Sequence, residues 1–104
     1  MEKNNIVRLI KQKVKKIAPD SDIILYGSQA RGESNLYSDI DILILIDRNH
    51  ISFAEKTKIS DTLYELELKS GVIISPLIYL KKHWNNRPFK TPFYINVNNE
   101  GIYL

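Results

Sequence analysis

Apolar residues at Ile6, Leu9, Ile10, Val14 and Ile17 recur at helical spacing, with lysines between them. This pattern predicts an amphipathic helix over 3–17, closed by Pro19. The short apolar run from Ile23 to Tyr26 predicts a strand that ends at Gly27. Residues 33–38 are polar and read as a loop. From Asp39 to Ile46 the pattern stops alternating: beyond Asp41 every position is Ile or Leu. Such a run predicts a central strand buried on both faces. Ser52-Phe-Ala-Glu55 has the form of a capping box, and a helix follows it to about Lys69 with Ile59, Leu63 and Leu66 as its apolar stripe. Gly71 stands where a left-handed cap is wanted. Residues 72–80 predict a third strand, interrupted or ended near Pro76. After Lys81-Lys82-His83-Trp84 and a proline-containing stretch, Thr91-Pro92 predicts the cap and first turn of a short helix. Gly101 would stop that helix, and Ile102-Tyr103-Leu104 would add a small edge strand. The order α-β-turn-β-α-β-α predicts one α/β or α+β domain over residues 1–104.

Composition narrows the class. A chain of 104 residues supports one compact core, and 43% hydrophobic with 26% charged residues is ordinary for a globular protein. The longest apolar run, Ile42 to Ile46, is too short to span a bilayer. The N-terminus is charged and lacks the apolar core of a signal peptide. With no cysteine there is neither a disulfide nor a thiolate metal site, so a cytoplasmic location is expected. The net charge of +3 is uneven: both ends are basic and the stretch from Glu33 to Glu67 is acidic. Basic ends suit a phosphate-rich partner; solvated helix faces are the more ordinary explanation.

The chemistry concentrates in "YGSQARGESNLYSDIDILILID", residues 26–47. Residues i and i+2 of a strand share a face, so Asp39 and Asp41 stand side by side, about 6–7 Å apart at the backbone. Two partly buried anions that close repel each other, and a divalent cation removes the repulsion. Hard carboxylate oxygens suit Mg²⁺, which takes one or two carboxylates plus substrate phosphates. Two such ions can clamp a phosphoryl displacement. Taken alone, the pair is more ordinarily explained as a polar strand start near solvent. Gly27-Ser28 weighs against that: a glycine at a strand end admits close backbone approach, and the Ser28 hydroxyl with nearby N–H groups can hold phosphate. The string from Gly27 to Gly32 also fits half of a P-loop, but Glu33 and Ser34 follow where Lys and Ser/Thr are required.

"GSQARGESNLYSDIDILI" resembles the signature of the minimal nucleotidyltransferases of the DNA polymerase β superfamily, the small group similar to kanamycin nucleotidyltransferase. The tail "PFYINVNNEGIYL" looks like the close of many such domains. The resemblance implies an α/β (α+β) fold with a small mixed β-sheet flanked by helices, like a polymerase β palm. It implies Mg²⁺-dependent transfer of a nucleoside monophosphate, AMP from ATP or another NTP, with release of pyrophosphate. By position, Gly27 and Ser28 would hold the triphosphate, and Asp39 and Asp41 would ligate metal and serve catalysis. Arg31 would meet phosphate or steady the Gly-Ser turn, with a salt bridge to Glu33 or Asp39 as the alternative. Relatives of this size are often paired with HEPN-domain toxins, which implies a protein acceptor and an antitoxin role.

One departure matters. The family usually carries a third carboxylate on the next strand, yet "GVIISPLIYL" holds no acid, and Ser75 stands about where it would be. A degenerate member that binds nucleotide or a partner without transfer is therefore the competing reading. Glu65 and Glu67 precede that strand and are expected to face solvent. Binding of nucleic acid finds no aromatic-basic interleaving to support it. His50 falls in a loop and His83 follows two lysines; neither is expected to be a ligand. Trp84 and Tyr79 are expected to pack rather than stack on a base, and Tyr26 likewise.

Overall fold

The computed structural model describes residues 3–27, 39–86 and 90–104. Their elements are α1 (Lys3–Ile17), β1 (Ser21–Tyr26), β2 (Ile40–Ile46), α2 (Phe53–Ser70), β3 (Ile74–Leu80), α3 (Lys81–Asn85), α4 (Pro92–Glu100) and β4 (Ile102–Tyr103). The strands form one mixed sheet in the order β3-β2-β1-β4. β1 runs antiparallel to β2 and β4, and β2 runs parallel to β3.

β2 is central because its sequence can be nothing else. Ile42, Leu43, Ile44, Leu45 and Ile46 are each at most 1% exposed. Burying each such side chain contributes about 1.5–3 kcal/mol. Strand alternation sends Ile40, Ile42, Ile44 and Ile46 to one face, where Ile6, Ile10 and Val14 of α1 and Ile59, Leu63 and Leu66 of α2 cover them. Leu43 and Leu45 go to the other face, where they cluster with Ile24, Trp84 of α3 and Val97 of α4.

The local signals are visible in the elements. Ser52 Oγ accepts from the Glu55 N–H at 3.1 Å, and Gly71 closes α2 in the left-handed region at φ 74°. The reciprocal half of the capping box is given up: the Glu55 carboxylate receives Arg48 Nη1 at 2.6 Å instead. Thr91 Oγ1 caps α4 by accepting from the Tyr94 N–H at 3.2 Å, with Pro92 in the first turn. Asn96, Asn98 and Asn99 are tolerated there because Val97, buried at 3% exposure, anchors the helix.

Three elements differ from the sequence reading. β1 begins two residues earlier, at Ser21, whose buried hydroxyl donates to Ala18 O at 2.6 Å. α3 was not anticipated; it exists to seat Trp84, 1% exposed, among Tyr79, Phe93 and Tyr94. Trp84 and Tyr79 are thus packing residues.

Pro76 does not interrupt β3. The Ile40 N–H donates to Ile73 O, so in the parallel ladder the main-chain groups of Ser75 and Leu77 point toward β2. Those of Ile74, Pro76 and Ile78 point away, toward the outer side of this terminal strand. A proline there loses no ladder bond. The Ile74 N–H on that side is taken by Glu67 Oε1 at 2.9 Å. Glu67 is therefore a capping group and not a solvated one, while Glu65 is exposed as expected. Among the described residues no helix is long and apolar enough to cross a membrane.

Candidate functional site

The acids stand where β2 begins. Asp39 is exposed and immediately precedes the strand, whereas Asp41 is its second residue and half-buried. On one side Asp41 is in register with Tyr26, the last residue of β1. Gly27 follows directly, at φ 75°. A Cβ on Gly27 would lie 2.8 Å from Asp41 Oδ2. Glycine is thus required twice, for its left-handed backbone and because the Asp41 carboxylate occupies the space a side chain would need.

The electrostatics match the geometry. Partial burial raises the Asp41 carboxyl above its ordinary value, and the charge of Asp39 pushes it further the same way. The Tyr26 phenol is also raised, first by burial and then by the charges of Asp41 and Tyr79. Tyr26 remains a protonated, packed aromatic, its ring 5.4 Å from that of Phe93 in an edge-on arrangement. A carboxylate raised by burial and by a like charge beside it gains from a cation.

On the other side of Asp41 the register partner is Ser75 of β3. The position where a neighbouring strand would supply a third acid carries a neutral hydroxyl. Among the described residues no group of three or more His, Cys, Asp or Glu side chains is placed to hold a metal ion. The pair fits Mg²⁺ all the same, because that ion is commonly held by one or two carboxylates with substrate phosphates completing its shell.

The structure brings together Gly27, Asp39 and Asp41. Ser28 and Arg31, and the turn of backbone N–H groups expected after Gly27, lie outside the described residues. A cleft of about 190 Å³ opens beside Gly27, lined by Tyr26, Phe93, Asn96, Val97 and Glu100. The sequence reading did not place Asn96 or Glu100 near the site. Their spacing of four puts them on one face of α4 with Phe93, a signal the sequence did carry. Only the docking of α4 shows that this face meets the end of β1.

With that geometry in view, likeness to other proteins becomes informative. The family model described as "Nucleotidyltransferase domain" matches residues 7–104. In Methanocaldococcus jannaschii, "Putative protein adenylyltransferase MJ0141" is 36% identical over 104 residues, covering 98% of each chain. "Putative protein adenylyltransferase MJ0604" of the same organism is 37% identical over 82 residues, covering 79% of this chain and 75% of that one. "Putative protein adenylyltransferase MJ1379" is 39% identical over 85 residues, covering 73% and 85%.

Proposed function

Because the chain belongs to the nucleotidyltransferase domain family, we propose that it transfers AMP from ATP, with Mg²⁺, to a hydroxyl of a protein acceptor. The observation that carries this reading is the placement of the Asp41 carboxylate against Gly27, with Asp39 two residues upstream. Asp39 and Asp41 would hold the metal, which supplies charge neutralisation at the phosphates and a lowered pKa for the attacking hydroxyl. Gly27 admits the triphosphate to the strand end, with Ser28 and Arg31 proposed to complete its binding. The acceptor hydroxyl approaches from the Ser75 side, since the Tyr26–Gly27 side is given to the phosphates. A protein as acceptor is supported by the names of the relatives. Its identification with a HEPN-type toxin and the antitoxin role rest on the resemblance of residues 27–44, and a cytoplasmic setting rests on the cysteine-free composition.

A second reading is favoured by one observation, the hydroxyl of Ser75 in the register position of an acid. In that reading the chain binds nucleotide or a partner and transfers nothing. Incubation with α-labelled ATP, Mg²⁺ and candidate acceptor proteins separates the two. Label on an acceptor, lost in the Asp39→Asn, Asp41→Asn double variant, supports transfer. Metal-dependent ATP binding with no labelled acceptor supports the scaffold. Absence of metal-dependent ATP binding sinks transfer and the nucleotide-binding scaffold alike, leaving partner binding alone.

A further inference from the structure

β2 and β3 are parallel and the acids open β2, so the carboxyl ends of both strands lie at the far end of the sheet. A second pocket of about 350 Å³ opens there. Its walls come from three separate segments: Asn49 and His50 after β2, Lys56 in α2, and His83 in α3. Ile51 and Ile78 form part of its apolar lining, and among the described residues no carboxylate lines it.

Three of the carboxylates nearby are engaged elsewhere, and Asp47, just before Asn49, is exposed within electrostatic range of Lys81. Asp20 and Glu55 each lie 2.6 Å from the Arg48 guanidinium, and Asp22 lies 2.9 Å from Lys81. The pocket therefore gathers an ammonium, two imidazoles, an amide and the Tyr79 side chain, with the Glu55 carboxylate in electrostatic range of His50 but bonded to Arg48. An ammonium with further N–H donors around it offers an anion both charge and hydrogen bonds. We propose that this pocket binds an oxyanion of the phosphate class, at a site separate from Asp39 and Asp41.

The donor set points to phosphate over carboxylate. A planar carboxylate is best met by the fork of an arginine, and Arg48, the arginine beside this pocket, is spent on Asp20 and Glu55. Point donors arriving from three segments suit a tetrahedral anion with oxygens on every side. Lysine is itself an established phosphate binder of this point-charge kind. The lining is open to solvent, so binding should weaken as salt rises.

The test is an amide and imidazole NMR titration of the whole chain at constant ionic strength, chloride being exchanged for inorganic phosphate and, in a second arm, for pyrophosphate. A third arm uses ATP without metal, which distinguishes a free anion from a nucleotide as the source of the phosphate. Saturable shifts at His50, Lys56 and His83 are expected in at least one arm. Lys56→Gln and His83→Asn should each weaken that binding about tenfold, the effect of losing one charged hydrogen bond. Both side chains are exposed, and melting without the anion checks that each variant is folded. The Asp39→Asn, Asp41→Asn variant should bind as the parent does, so this site stands or falls independently of the transfer reaction. Shifts that never saturate, that spread equally over Lys13 and Lys16 of α1, or that ignore Lys56→Gln and His83→Asn would overturn the proposal.

Discussion

Asp41 of β2 and Ser75 of β3 are register partners across a parallel pair of strands. Their side chains emerge on the same face, next to each other, because paired residues of adjacent strands point the same way. A carboxylate at position 75 would thus sit beside Asp41, on the side away from Gly27. A well-placed general base contributes about 10²–10⁴-fold. Under the proposed activity, Ser75→Asp should raise AMP transfer by part of that factor while leaving ATP affinity within a few-fold. Transfer assays with labelled ATP measure the first and calorimetry the second. Fast transfer by the parent, unaffected by Ser75→Asp or Ser75→Ala, would show that the hydroxyl's proton leaves by another route.

The raised Asp41 carboxyl carries a stability consequence. A carboxylate whose pKa is raised on folding holds its proton more tightly in the native state, so its charged form opposes folding. The penalty is absent below the ordinary value of 3.8 and grows as pH rises from there through the raised native value. Asp41→Asn should therefore raise the melting temperature in EDTA at pH 7, and the gain should vanish below about pH 3.8. With ATP and Mg²⁺ the order should invert, because a ligand that binds only the native state stabilises it. A drop in the EDTA melting temperature at pH 7 would mark Asp41 as a structural group.

Gly27→Ala tests the closeness of turn and acid. The left-handed backbone alone costs a non-glycine residue about 1–2 kcal/mol, and the new methyl would displace the Asp41 carboxylate. Urea unfolding should report a loss of at least about 1 kcal/mol, with metal-dependent ATP binding reduced as well. Gly71 is the control: it shares the positive φ at 74° but has nothing within 4 Å of an added Cβ. Gly71→Ala should cost backbone strain and leave ATP binding untouched.

The Arg48 fork predicts an acid-sensitive contribution away from the site. Hydrogen bonding to Arg48 holds the Asp20 and Glu55 carboxyls below their ordinary values of 3.8 and 4.5. A lowered carboxyl pKa means stability that is present above the unfolded value and lost as pH falls through the native one. The melting temperature of Arg48→Ala should thus lie below the parent's at pH 7. The gap should begin to close as pH drops below about 4.5. The effect should be small and should shrink in high salt, since the three groups are partly exposed.

What the sequence could show depended on how local each cause was. β2 was legible because a run of Ile and Leu without alternation admits one environment. The caps at Ser52, Gly71 and Thr91 were legible because each acts within one turn of chain. Pro76 was misread: the rule that proline ends a strand depends on which way its missing N–H would have pointed, and only the pairing with β2 decides that. α3 is too short to show a period, and its cause is the burial of Trp84 against Tyr79, Phe93 and Tyr94. In the candidate site, the proximity of Asp39 and Asp41 followed from the two-residue repeat of a strand. The approach of Asp41 to Gly27, and of Asn96 and Glu100 to the same turn, required the antiparallel register of β1 and the docking of α4.

The outer side of β3 limits how any protein acceptor can be recognised. Of the main-chain N–H groups facing that way, the one at Ile74 is occupied by Glu67 and the one at position 76 does not exist. The outward N–H of Ile78 remains, but an incoming extended peptide would find no donor at the two outward positions that flank Ser75 and would lack the ladder there. Recognition beside Ser75 must then be read by side chains and shape. An acceptor presenting its hydroxyl from a folded surface would meet that condition, whereas an unstructured tail would lack the main-chain ladder such tails commonly rely on.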